Sequence, residues 1–182
     1  MPLRLCIFLL SVCLASASAQ QDAKLAPAPD LGQFPVLQAT NLNDTRFQLP
    51  QNFGGQLNLI VISFAREQQH TVDSWLPAAR QLEATHPSFR YYELPTMSRQ
   101  NLLYRWWFNA ALRSNTTDKD LRSRILPVYV NKHKFLRALH VRNDNKVVAV
   151  LVDQSGRVYW ESEGPFTEQK GQSLLAALPK NP

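Results

Sequence analysis

Apolar and polar positions along the chain fall into blocks that predict strands and helices in turn. Residues 57–64, LNLIVISF, form a continuous apolar run after Gly54 and Gly55. Such a run is typical of a strand that is buried on both faces of a mostly parallel sheet. The next block, residues 67–84, repeats its apolar side chains at helical spacing and contains Pro77. It predicts a helix that is kinked at the proline.

The rest of the chain continues the alternation. Strands are predicted over residues 46–49, 89–94, 125–130, 146–152 and 157–161. Helices are predicted over residues 98–114, 132–139 and 167–178, and the polar stretch between them, residues 114–124, is interpreted as a loop. Because strands and helices alternate first and a hairpin plus a helix close the chain, we predict one α/β domain with a mixed central sheet.

The N-terminal residues have the order of a secretory signal peptide. Arg4 precedes an apolar stretch, which is followed by small residues up to Ala19. We therefore expect a signal peptide over residues 1–19, cleaved after Ala19, and a secreted or periplasmic protein. An uncleaved membrane anchor is disfavoured because the stretch is shorter than the roughly 20 residues that span a bilayer. Residues 20–33 are interpreted as a proline-containing leader and residues 34–182 as the domain.

Cysteine usage restricts the chemistry of the mature protein. The two cysteines are Cys6 and Cys13, and both lie in the predicted signal peptide. A mature chain without thiols has no disulfide, no thiolate nucleophile and no cysteine metal site. We therefore expect neither thiol-disulfide oxidoreductase nor peroxidase activity.

Positive charge is concentrated in one part of the chain. The chain has a formal net charge of +6, and residues 99–146 hold 11 Lys or Arg against three Asp. Such an excess fits an acidic protein partner or an anionic membrane surface, with an ordinary solvated surface as the alternative. Nucleic acid is not an expected partner, because no reader motif is recognisable and the chain is predicted to be exported.

The closing hairpin, residues 147–164, carries a family resemblance. It reads VVAVLVDQSGRVYWESEG, in which Asp153, Gly156 and Gly164 match an apolar strand, Asp-x-x-Gly and a second strand ending in Gly. This order resembles the thioredoxin-like superfamily, in its peroxiredoxin and cytochrome-maturation branch, over roughly residues 34–178. The resemblance implies a three-layer sandwich, with helices flanking the mixed sheet.

The same resemblance identifies the positions at which exported thiol-disulfide members carry their two cysteines. They are Gln69 and Val72, which follow Phe64 by five and eight residues, and Pro77 stands where the family has a helix-kinking proline. Thiol exchange requires a thiolate and a resolving thiol, and neither side chain supplies one. The family's cis-proline is also missing from the corresponding approach to the hairpin, residues 142–147. The resemblance therefore implies a degenerate, non-catalytic redox site.

A narrower resemblance is to the mitochondrial ATP synthase assembly-factor family, a thioredoxin-like branch without the C-x-x-C pair. Its residues here are the helix start Glu67-Gln68-Gln69 and the hairpin end Arg157-Val158-Tyr159-Trp160. This resemblance implies a scaffold that acts by binding, as an assembly or chaperone-like factor.

Polar residues at the predicted helix start are candidates for binding or for other chemistry. Arg66 and Gln68 lie where free backbone N–H groups could hold an anion. His70 could act as the general base of a non-thiol enzyme, although no nucleophile motif accompanies it. No cofactor is predicted, and metal binding is disfavoured because only His133 and His140 could approach one another.

Two adjacent tryptophans on the predicted helix over residues 98–114 have two interpretations. Trp106 and Trp107 point about 100° apart on a helix, so one is expected in the core and the other at its edge or outside it. The alternative is a partner-binding or membrane-interface patch beside Arg105.

Overall fold

The structure is a computed structural model that describes residues 30–178, so both cysteines and the predicted signal peptide lie outside the described residues. Its strands are β1 (Leu37–Thr40), β2 (Arg46–Leu49), β3 (Leu57–Ser63), β4 (Phe89–Ser98), β5 (Val128–Val130), β6 (Val148–Asp153) and β7 (Val158–Glu163). Its helices are α1 (Gln69–Asp73), α2 (Leu76–Thr85), α3 (Leu102–Asn115), α4 (Lys119–Arg124), α5 (Lys132–Ala138) and α6 (Glu168–Ala177). A short 3-10 turn, Arg66–Gln68, precedes α1.

A mixed sheet forms the centre of the domain. Its five strands lie in the order β5-β4-β3-β6-β7, and β1 and β2 form a separate two-stranded ribbon. Strand β3 is parallel to β4 and antiparallel to β6, and β7 is antiparallel to β6. Because β3 has neighbours on both edges and core on both faces, its central side chains are fully buried. The predicted α/β class with a mixed central sheet is confirmed.

Two apolar clusters cover the two faces of the sheet. On one face, Ile60 and Ile62 pack with aromatic side chains that include Phe34 and Phe135. On the other face, β3 packs against residues of α1, α2 and α6. The sheet is therefore the middle of three layers. No helix within residues 30–178 has the length and apolar character needed to cross a membrane.

The kinked helix predicted over residues 67–84 is divided into α1 and α2. Pro77 lies in the first turn of α2. The absence of a proline N–H is harmless there, because the first helical N–H groups have no intrahelical acceptor. The predicted helix is therefore interrupted at residues 74–75, just before Pro77.

The Asp-x-x-Gly turn of the hairpin has a local cause in the structure. Asp153 Oδ1 accepts from the backbone N–H groups of Ser155 and Arg157, at 2.8 and 3.0 Å. Gly156 has a φ of +89°, and a Cβ there would lie 2.8 Å from the carbonyl oxygen of Phe34. The turn therefore requires an acceptor side chain at Asp153 and a glycine at Gly156, and these two residues made the hairpin predictable.

One local prediction was wrong, and one strand was not predicted. Residues 114–124 were interpreted as a loop, but their second half is α4, whose first N–H groups are capped by the Asp118 carboxylate. The prediction missed it because Asp118 and its polar neighbours are equally typical of turns. Strand β1 was not predicted, and it pairs with β2 from Leu37–Leu49 to Thr40–Arg46.

Candidate functional site

The two positions that the resemblance equates with redox cysteines, Gln69 and Val72, lie in α1, after the end of β3. Gln69 is exposed, and its Nε2 donates to Asp73 Oδ1 at 3.0 Å. Val72 is only 1% exposed and belongs to the core cluster beneath α1. One position therefore carries a neutral amide and the other a core side chain, so neither offers a nucleophile.

Gln68, a predicted binding residue, bridges two backbone segments. Its Oε1 accepts from the N–H of Phe64 at 2.7 Å, and its Nε2 donates to the carbonyl of Asp144 at 3.0 Å. Asp144 is in turn paired with Lys132. The Gln68 amide thus holds residues 142–147, which lack the family's proline, beside the end of β3.

An apolar cavity of about 360 Å³ lies between the end of β3 and the inner side of α3. Phe64, Arg66 and Gln69 form its wall on the sheet side. The α3 side is formed by Tyr104, Trp107, Phe108, Ala111 and Leu112. The apolar cavity thus borders Gln69, one of the two positions that the resemblance assigns to cysteines.

A second cavity of about 480 Å³ adjoins the first and is acidic. Asp73, Glu93 and Asp118 contribute three carboxyl groups to its lining, against the guanidinium of Arg66. The residues that line both cavities are Arg66, Gln69, Pro95, Leu112 and Asn115. The acidic cavity therefore continues the apolar cavity, and its excess of carboxyl groups opposes the binding of an anion near Arg66.

Glu93 is the residue of the acidic cavity whose pKa is shifted most. It lies on β4, is only 3% exposed, and its Oε1 has no hydrogen-bond partner among residues 30–178. Burial and the neighbouring charge of Asp73 raise the pKa of Glu93 to about 7, although the nearby amide of Gln69 and the charge of Arg80 oppose the rise. The sequence interpretation missed this residue. Its only signal was a carboxylate between Tyr92 and Leu94 in a strand that is buried on both faces.

Helix α3 presents its most apolar side chains to solvent. Trp106 is 69% exposed and Trp107 is 57% exposed, so the expectation that one of them lies in the core is wrong. Leu102 and Leu103 are also largely exposed. No residue of α3 is buried, because the helix rests on the sheet through half-buried side chains such as Phe108. The apolar periodicity predicted the helix correctly but assigned the wrong face to the core.

The inner contacts of α3 are partly polar, which accounts for its orientation. Tyr129 of β5 donates its hydroxyl to Asn109 Oδ1 at 2.8 Å. The guanidinium of Arg105, a predicted binding residue, lies 4.6 Å from the centre of the Tyr129 ring. Arg113 pairs with Asp44 at 2.7 Å. These polar contacts anchor one side of α3 and leave its tryptophans facing outwards.

Comparison with known proteins identifies the fold. No family model and no curated protein matches the sequence. A candidate electron transport protein from Aquifex aeolicus VF5 has a TM-score of 0.56 at 13% identity, over 81% of this chain and 95% of that chain. BsSco, of the Sco family of cytochrome c oxidase assembly proteins, has a TM-score of 0.54 at 10% identity, over 82% and 95%. A thiol:disulfide interchange protein from Bacteroides sp. has a TM-score of 0.51 at 12% identity, over 81% and 89%.

The chain has a thioredoxin-like fold. The predicted three-layer architecture is therefore confirmed, and these similarities concern the fold alone. Several of the solved proteins are described by thiol or electron-transfer chemistry. This chain shares their fold and has Gln69 and Val72 at the positions that the resemblance assigns to cysteines.

The remaining candidates lie apart from the two cavities. His70 is exposed on α1, lines neither cavity, and its ring makes no hydrogen bond to the described residues. Within residues 30–178, no three His, Cys, Asp or Glu side chains are grouped so that they could hold a metal ion. The structure thus brings Arg66, Gln69 and Trp107 together around the apolar cavity and leaves His70 outside it.

Proposed function

We propose that this protein is an exported, redox-inactive thioredoxin-like protein that acts by binding a protein partner, as an assembly or chaperone-like factor. The observation that carries the proposal is the outer face of α3, formed by Leu102, Leu103, Trp106 and Trp107. An apolar surface of this kind marks an interaction site, because it remains in water unless a partner covers it. Trp107 also lines the apolar cavity, so surface and cavity are continuous.

Redox inactivity is supported by the side chains at the degenerate site. Val72 is buried and aliphatic, Gln69 is a neutral amide, and residues 20–182 contain no cysteine. An assembly role is compatible with this fold, since BsSco belongs to a family of cytochrome c oxidase assembly proteins. The likeness to ATP synthase assembly factors belongs to this proposal and concerns the mode of action, not the identity of the partner.

A catalytic role centred on His70 has less support. A general base has to reach the proton that it removes, usually within about 3 Å, and it normally acts on a nucleophile held nearby. The exposed ring of His70 lies outside both cavities. The exposed face of α3 and the apolar cavity therefore support a binding role better than His70 supports a catalytic one.

An anionic membrane surface is a second candidate partner, favoured by the charge around α3. Arg99 and Arg105 are exposed beside Trp106, within the basic segment 99–146. Tryptophan is enriched at membrane interfaces, and basic residues are attracted to anionic headgroups. This arrangement would place α3 flat on the lipid surface.

The test compares exposed apolar side chains on two different helices. Leu103→Ser with Trp106→Ser removes the outer face of α3, whereas Leu175→Ser changes an exposed leucine on α6 and serves as the matched control. Crosslinked capture from the envelope of the source organism should lose its specific protein product with the α3 variant and keep it with the control. Equal capture by both variants would contradict the proposal.

Two further measurements complete the test. Insulin reduction and peroxide consumption should both be absent from the wild-type protein. Sedimentation with acidic vesicles, lost at high salt and in the α3 variant, would favour the lipid surface over a protein partner.

A further inference from the structure

The acidic cavity contains a buried carboxyl group, Glu93, of which one oxygen, Oε1, receives no hydrogen bond from the described residues. Leaving such a group unsatisfied costs free energy, and the cost is larger when the group is ionised. The nearby amide of Gln69 does not satisfy this oxygen, because its Nε2 donates to Asp73 Oδ1 at 3.0 Å. The cavity therefore lacks a donor that would satisfy Glu93.

Charged groups of several elements surround the acidic cavity. Asp73 of α1, Asp118 at the start of α4 and Arg66 of the 3-10 turn line it together with Glu93. The charges that act on Glu93 itself are those of Asp73 and of Arg80 on α2. The carboxylates outnumber the one guanidinium in the lining, and Arg66 is itself exposed. A cation entering the cavity therefore meets net negative charge.

We propose that the acidic cavity binds an organic cation that donates hydrogen bonds, namely the guanidinium or ammonium group of an Arg or Lys side chain of the bound partner. The inference rests on the proposed function, since it assigns the chemistry of the segment that enters from the apolar cavity. A guanidinium offers several N–H donors in one plane and forms paired hydrogen bonds with a carboxylate. It would supply the donor that Glu93 lacks and offset the repulsion between Glu93 and Asp73.

The shared lining of the two cavities gives such a segment a route to Glu93. Arg66, Gln69 and Leu112 line both cavities, so a chain that covers the outer end of the apolar cavity can send one long side chain past them to Glu93. Apolar side chains of the same segment would pack beside Trp107, and the basic side chain would fix the register. A metal ion is a weaker fit, because within residues 30–178 no three His, Cys, Asp or Glu side chains are grouped closely enough to hold one.

Butylguanidinium and butylurea provide a direct test, since they have nearly the same shape and differ in charge. Amide NMR shifts of the purified protein are followed as each compound is added at pH 8. Butylguanidinium should bind at least about ten times more tightly than butylurea, with shifts centred on Glu93, Gln69 and Asp73. At pH 6 this preference should fall roughly tenfold, because Glu93, with its pKa raised to about 7, then becomes mostly protonated.

Glu93→Gln should abolish the preference for the cation at both pH values. Glu161→Gln is the matched control, because Glu161 also has a buried carboxyl oxygen without a partner among the described residues but lies on β7, at the opposite edge of the sheet. Equal binding of the two compounds by the wild type would overturn the inference, and so would undiminished binding by Glu93→Gln.

Variants of α3 separate this inference from the proposed function. The Leu103→Ser, Trp106→Ser protein should bind butylguanidinium as the wild type does, because neither residue lines the acidic cavity. If partner capture depends on α3 but butylguanidinium does not bind, the cation site alone is refuted. If capture is also independent of α3, the proposed function fails as well.

Discussion

Replacing Glu93 by glutamine should make the protein more stable at neutral and basic pH. The side chain keeps its size and loses the ability to ionise, so the change isolates the buried charge. In the folded protein the pKa of Glu93 is raised to about 7 from an ordinary value of 4.5, chiefly by burial. The folded state therefore holds this proton over a pH range in which the unfolded chain has released it.

The direction of the effect follows from this difference in bound protons. Where the folded state binds more protons than the unfolded state, the free energy of unfolding falls as pH rises. The wild type should lose this contribution progressively between about pH 4 and pH 8. At about 1.4 kcal/mol for each unit of difference in pKa, the loss is about 3 kcal/mol. Glutamine does not titrate, so the Glu93→Gln protein should not show this loss of stability as pH rises.

Urea denaturation of both proteins at intervals from pH 4 to pH 8 measures this effect. The stability of Glu93→Gln minus that of the wild type should increase by about 3 kcal/mol across the range. Glu161→Gln should show a smaller slope, because Glu161 is more exposed, although burial also raises its pKa. A difference between Glu93→Gln and wild type that stays constant with pH would refute the assignment of a buried, protonated carboxyl.

Three other changes test separate parts of the structure. Gln69→Cys with Val72→Cys restores the dithiol spacing. Insulin reduction by this variant should nevertheless be feeble at most, because residues 142–147 contain no proline. Vigorous turnover of insulin would contradict the proposal of a degenerate redox site. Trp75→Phe should lower the free energy of unfolding, measured by urea denaturation, by about 1 to 2 kcal/mol, because Trp75 Nε1 donates to a backbone carbonyl at 3.0 Å. Trp106→Phe should lower it by less than about 0.5 kcal/mol, because Trp106 is exposed. Asp118→Ala should destabilise the protein by about 1 kcal/mol through loss of the α4 cap, and unchanged thermal unfolding would argue against that cap.

The sheet was predictable from sequence because its strands are determined by local pattern. A strand covered on both faces has no polar alternation, and residues 57–64 show none, so β3 could be identified directly. The hairpin was equally clear, since Asp153 and Gly156 are required by the turn itself. In both places the local preference and the tertiary structure agree.

The site was harder to predict because it depends on which surfaces meet. Helical spacing identified α3, but periodicity does not say whether an apolar stripe faces the core or a partner. One of the two tryptophans, Trp106 or Trp107, was therefore expected in the core, whereas both are exposed. Glu93 was missed for a related reason: a single acidic residue in a strand is read as a surface position until the covering helix α1 is known.

The pairing of β3 has a consequence for how the chain acquires its structure during synthesis. Leu57 pairs with Phe89 on one edge but with Asp153 on the other, so the second edge stays open until the β6–β7 hairpin has left the ribosome. An open edge on an apolar strand is a template for pairing with other chains. Incomplete products that end before β6 would thus carry the apolar strand β3 with one edge unpaired, and the C-terminal hairpin protects a strand made much earlier in synthesis.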